Sequence, residues 1–252
     1  RVGDLILPRG LDVVDDPTLR CPDTGAPYFG SFAVDDEGVC AERVELVCDG
    51  VLQSFLQSRA PIPSSATSNG HARHDGVHFP MARMGNLVIT ASQEAAMLSE
   101  AELWERLFSL ARASGRREVM VVERVRQGET QTSSYDFQAF KSEPSAVYLV
   151  DVETQRKRRV RDVELIGTPL AALQRIVAFG GATGQDDGWC WAESGSVPVS
   201  GFAPMMVFSE IELQQRSTTG FHEPLLPPPV FEDGSHGRTS GLRGRGRRKQ
   251  GS

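Results

Sequence analysis

Two acidic-glycine turns, Asp35-Asp36-Glu37-Gly38 and Cys48-Asp49-Gly50, bracket one alternating segment and most constrain what this chain can fold into. Asp-Gly supplies the positive φ angles that a tight hairpin needs. Between the turns, Val44 and Leu46 alternate with Arg43 and Glu45 over residues 41–47, which is strand periodicity. Apolar runs at 29–34 and 51–56 flank them, so the pattern predicts a meander of three short antiparallel strands. The same punctuation recurs along the chain, which carries 25 Gly and 15 Pro and so turns often. Further strands are predicted near 2–7, 87–90, 118–125, 134–140, 146–152 and 203–213, with Arg156 to Arg159 as a solvated hairpin turn.

Helical signals are few. Ser99 and Glu102 have capping-box spacing, and Leu103, Leu107 and Leu110 then share one face. Pro169 can open a second helix, with Leu170, Leu173, Ile176 and Val177 on its face and Gly180-Gly181 as its stop. The expected fold is therefore β-rich α+β: antiparallel strands in a barrel-like or mixed sheet, with two main helices at about 99–114 and 168–179. Residues 1–216 form the folded domain in this reading. Residues 217–252 read as a Pro-rich extension followed by a disordered basic tail, because little after Phe231 can be buried.

Charge excludes some functions. Residues 231–252 bear a net +4, so the rest of the chain is near −10 within a total of −6. Phosphates repel such a body, and nucleic acid is an improbable partner for it. No run approaches the ~20 apolar residues that span a bilayer. Cys21, Cys40, Cys48 and Cys190 form no C-x-x-C pair, which favours reduced thiols and a cytoplasmic location. The first residue is Arg1, so a longer native chain is expected. There is no G-x-S-x-G elbow, and Pro224 bars a helical metal motif at His222-Glu223. The glycines at 180–184 lack the lysine of a phosphate cradle.

Several segments, in order, resemble the C-terminal domain of the TldD/PmbA proteins, the modulator of DNA gyrase metalloprotease family. They are Val13 to Pro17, Gly30 to Gly38, Asp49 to Leu56, Ser68-Asn69-Gly70, Pro80 to Asn86, Ile166 to Pro169, and Gly188 to Val199 around Cys190. Ala82-Arg83 departs from the family's Pro-Arg pair. The resemblance implies a C-terminal lobe of a zinc metallopeptidase that acts on unfolded or extended peptides. It would supply Cys190 as a metal ligand and be inactive without a His-Glu-x-x-x-His N-terminal half, which this chain does not contain. It also implies homo- or heterodimers, with an N-terminal domain or partner subunit that completes the zinc site. The alternative is a non-catalytic, PmbA-like regulatory or scaffolding subunit in which Cys190 is a buried small hydrophobe.

Other candidates carry two readings each. His71, His74 and His78 could hold a metal as a local module, or be solvated side chains of a polar loop. His78-Phe79-Pro80 resembles a family element, which makes His78 a candidate for lining the substrate cleft. Arg83 and Asn86 could bind an extended peptide, or cap the strand at Leu87. The basic tail could touch nucleic acid or an acidic partner, or be a solubilising or non-native tail.

Overall fold

The computed structural model describes residues 1–62, 67–93, 95, 97–131 and 138–216. They belong to one unit, Arg1–Ser217; the second unit, Thr218–Ser252, falls outside the described residues, as do His222, Glu223 and the basic tail.

Strand β1 (Leu11–Asp15) pairs antiparallel with β2 (Val44–Cys48), which turns at Asp49-Gly50 into β3 (Val51–Leu52). Both turn residues have positive φ, 47° and 77°, as the sequence pattern demands. Residues 29–34 do not form the expected first strand of the meander; they run as an irregular segment tied by a bridge between Val34 and Cys40. Their backbone is fixed to other loops instead, for example through Phe32 N donating to Pro17 O. The N-terminal strand expected at 2–7 reduces to one bridge between Leu5 and Val51.

A small hairpin, β4 (Ala72–Arg73) and β5 (Met81–Ala82), interrupts the irregular stretch after residue 67. Strand β6 (Asn86–Ala91) then pairs with β1. Helix α1 (Glu100–Ala113) starts at the expected capping box: Ser99 Oγ accepts from Glu102 N, and Glu102 accepts from Ser99 N at 2.7 Å. Strands β7 (Glu118–Gln131) and β8 (Ala139–Asp151) pair along most of their length, and β7 runs on past the expected end at 125 through Gln127 and Gly128; residues 132–137 lie outside the described residues. Strand β9 (Lys157–Val160) pairs with β8, and this places the Arg156–Arg159 basic run largely in a strand. Strand β10 (Val163–Gly167) leads to α2 (Pro169–Leu173).

Helix α2 is one short turn set, not a helix to 179. Ile176 opens β11 (Ile176–Ala192), where Ile176, Ala178 and Gly180 are buried in alternation. Strand pairing with β12 (Gly195–Phe208) satisfies these backbone groups and overrides the helical spacing of the same apolar residues. Strand β13 (Glu212–Gln215) closes the described chain.

The strands assemble as an open six-stranded sheet, β11-β12-β6-β1-β2-β3, and a five-stranded one, β13-β10-β8-β7 with β9 on β8. Neither closes on itself, so the fold is a mixed-sheet α+β structure and not a barrel. The β12–β6 pair is parallel. Helix α1 serves both sheets. Leu103 packs with Ala178 and Val207 of the larger sheet, while Phe108 and Ala111 pack with Val119 and Val150 of the smaller. Leu7, Leu11, Val13, Val47 and Ile176 form the remaining core.

Candidate functional site

The hairpin of β11 and β12 carries Cys190 two residues before its end. Cys190 faces Val197 across the ladder and is half-buried. Period-two alternation sends its neighbours Trp189 and Trp191 to the opposite face. Both indoles are exposed, at 60% and 78%, and Trp189 stacks edge-on against Phe29 at 5.3 Å between ring centroids. A cleft of about 750 Å³ opens between this hairpin and the β7–β8 hairpin, lined by Trp189, Trp191, Asp186, Val125, Gln127 and Glu143 among others. Strand β11 is the outer strand of its sheet, with β12 on one side and a single bridge from Gly180 to Leu98 on the other.

Arg83 lies at the base of this hairpin end and is buried, 5% exposed. Its Nη1 donates to Ser194 Oγ at 2.8 Å and to Gly195 O at 3.0 Å, and its Nη2 donates to Cys190 O. Arg73, also buried, donates from Nη1 to Pro198 O at 2.7 Å and to Met84 O at 2.8 Å, and its guanidinium covers the Phe32 ring. Burial lowers the Arg73 pKa from its ordinary value against the pull of Asp36 and Asp15; Arg83 acts with burial, and Cys190 against it. Arginine remains charged through such a shift. Two buried cations thus bond the two strands of the hairpin that bears the thiol, Arg83 at Cys190 and Arg73 at Pro198.

The loop after β4 reaches the same hairpin end. Asp75 N donates to Ser194 O at 3.1 Å, and the Asp75 carboxylate accepts from His78 Nδ1 at 2.9 Å and from the backbone of Val77 and His78. These bonds, the His78 ring first, hold the Asp75 carboxyl well below the usual carboxylate range. His78 itself is half-exposed, and Phe79 beside it is 94% exposed. Gly195 is required here: its φ is +84°, and a Cβ would stand 2.1 Å from Asp75 Oδ2.

The structure therefore gathers Cys190, Arg83 and His78 around one hairpin end but keeps Asn86 apart. Asn86 is fully buried at the start of β6; its Nδ2 donates to Asp16 O and Ser31 Oγ, and its Oδ1 has no partner among the described residues. Neither Arg83 nor Asn86 presents its side chain at the surface. The three clustered histidines separate as well. His71 is fully buried, with Nε2 on Asp15 Oδ1 at 3.2 Å and Nδ1 on Asn69 O at 2.9 Å. His74 Nδ1 accepts from Gly76 N. Among the described residues no group of three His, Cys, Asp or Glu could hold a metal ion, so the local histidine module is not built. Cys190 can offer one donor, and a tetrahedral zinc site would need the others from elsewhere. Arg73 and Ser194 escaped the sequence reading; nothing in their local pattern separates a buried arginine or serine from a solvated one.

A profile of the PmbA/TldA metallopeptidase C-terminal domain matches residues 1–215. A metalloprotease of Archaeoglobus fulgidus is 34% identical over 206 residues, 81% of this chain and 42% of that protein. A metalloprotease TldD homolog of Haemophilus influenzae is 25% identical over 215 residues, 84% of this chain and 40% of that protein. This chain thus spans about two fifths of these relatives' length. Among solved structures, a protein described as a modulator of a DNA gyrase, from Thermotoga maritima, superposes with a TM-score of 0.54 at 17% identity, over 84% of this chain and 41% of that one. At that identity the likeness is one of fold. With a family profile matching residues 1–215, the chain belongs to the TldD/PmbA metallopeptidase family and carries its C-terminal domain.

Proposed function

We propose that this domain is the C-terminal lobe of a zinc peptidase acting on extended peptides, and that Cys190 gives the metal one thiolate while a His-Glu-x-x-x-His N-terminal half gives the rest. The observation that carries the reading is the placement of Cys190. It is half-buried on an outer strand, and its two neighbours in that strand, Trp189 and Trp191, line the cleft. Held by Cys190 and the histidines of the other half, zinc would lower the pKa of a bound water to about 7 and would polarise a peptide carbonyl. The chain's own residues do the rest of the work. Between the Gly180–Leu98 bridge and Cys190, whose carbonyl Arg83 occupies, the outer edge of β11 offers backbone donors and acceptors to an extended substrate. Trp189 and Trp191 offer apolar faces to its side chains, and His78 lines the approach. Arg83 and Asn86 act from within, by fixing the segments they bond. The reading also includes assembly as a homo- or heterodimer and, because all four cysteines are free thiols, a reducing compartment such as the cytoplasm. Among the described residues no helix is long and apolar enough to cross a membrane.

Zinc content tests the proposal. The protein carrying both halves should hold one zinc and lose most of it as Cys190→Ser, whereas the present chain alone should bind zinc weakly. Tight, stoichiometric zinc in the isolated chain would overturn the shared site. Full zinc and full peptidase activity in Cys190→Ser would move the domain to the scaffolding role.

A further inference from the structure

We infer that Arg83 is a positioning residue for Cys190: one buried guanidinium sets the backbone of the thiol-bearing strand and of the turn beyond it. Three acceptors converge on it from residues 190, 194 and 195, more than a hundred positions away in the chain. All three are neutral oxygens, so burial costs the cation its hydration and, among the described residues, no ion pair offsets that cost. An aliphatic side chain would fill the space without that penalty. What the guanidinium adds is direction. Its planar fork fixes the Cys190 carbonyl relative to Ser194 and Gly195, which a single ammonium donor cannot do.

The anchor is itself bonded to buried groups. Arg83 N donates to His71 O at 2.9 Å, and His71 is buried between Asp15 and Asn69. Asp15 in turn accepts from Gly85 N through both oxygens at 3.0 Å. Arg73 fixes the facing strand through Pro198 O, opposite Trp189 in the ladder. A rigid polar layer thus holds both strands of a hairpin whose Trp189 and Trp191 flanks are exposed. The inference rests on Cys190 being a metal ligand, since such a ligand must be held in place by its surroundings.

The test uses the protein with both halves and cobalt in place of zinc, together with the metal-free chain in which Cys21, Cys40 and Cys48 are serine. Arg83→Lys should weaken metal binding about 10- to 100-fold and shift the thiolate-to-cobalt absorption band. Ser194→Ala, which removes one of the three acceptors, should do the same to a smaller degree. In the metal-free chain both should alter the alkylation rate of Cys190 by iodoacetamide several-fold, while Arg43→Lys, an exposed arginine, leaves it unchanged. Wild-type band, affinity and alkylation rate in folded Arg83→Lys and Ser194→Ala would overturn the inference. If Arg83→Lys does not fold, Ser194→Ala decides alone. Persistence of the band in Cys190→Ser sinks the ligand reading instead, and Arg83 is then judged by the alkylation rates.

Discussion

Replacing Gly195 with alanine tests whether the hairpin end and the 74–78 loop are one packed unit. At φ +84° a Cβ residue incurs left-handed strain of about 1–2 kcal/mol. The new methyl would also stand 2.1 Å from Oδ2, 2.2 Å from Cγ and 2.7 Å from Cβ of Asp75, so rotating the carboxylate tip gives no relief. The loop must withdraw, and the bond from Asp75 N to Ser194 O, worth about 0.5–1.5 kcal/mol, is lost. A stiffer unfolded chain offsets roughly 0.4–1 kcal/mol. The net expectation is a destabilisation of roughly 1–3 kcal/mol, or several degrees in Tm for a domain of this size. Gly38→Ala supplies the control: its φ is +81° and nothing lies within 4 Å of its added Cβ, so it bears the strain without the collision. Urea denaturation of both variants, with Cys190 alkylation as a local readout, separates the two contributions. A Gly195→Ala variant no less stable than Gly38→Ala, with unchanged alkylation, refutes the packing argument.

Two further outcomes are expected beyond those for Cys190 and Arg83. Because Asp75 has a depressed pKa in the folded chain, its stabilising bonds are complete above the unfolded carboxylate value of ~3.9 and fade as pH falls through the lower folded value. The Asp75 carboxyl resonance should titrate below that of ordinary aspartates, and the Val77 and His78 amides should lose protection with it; a midpoint near pH ~4 contradicts the geometry. Ser99→Ala removes the cap of the helix shared by both sheets and should cost about 1 kcal/mol by urea denaturation, while a neutral result would mean that packing of Leu103 and Phe108 alone holds the N-terminus.

Local chemistry was legible wherever a backbone demand falls on neighbouring residues. Asp49-Gly50 specified a turn because two consecutive positive φ angles admit few residue pairs. Ser99 and Glu102 specified a helix start because their oxygens and amides meet within one turn. Cys190 could be picked out as a candidate only through the resemblance of its surrounding segment to a family pattern. Three-dimensional pairing decided the rest. Ile176 and Val177 continue the helical spacing of Leu170 and Leu173 toward a helix-stop glycine pair, yet they are strand, because β12 was available to satisfy their backbone. Residues 29–34 look like a strand and are not one, because their partners are loops. The burial of Arg73, Arg83 and Asn86 could not be read from their neighbours in sequence. Their acceptors lie on segments up to 125 positions away, and a polar side chain is buried where distant oxygens converge to bond it. That convergence is a property of the folded sheet, whereas turns and caps are properties of a few adjacent residues.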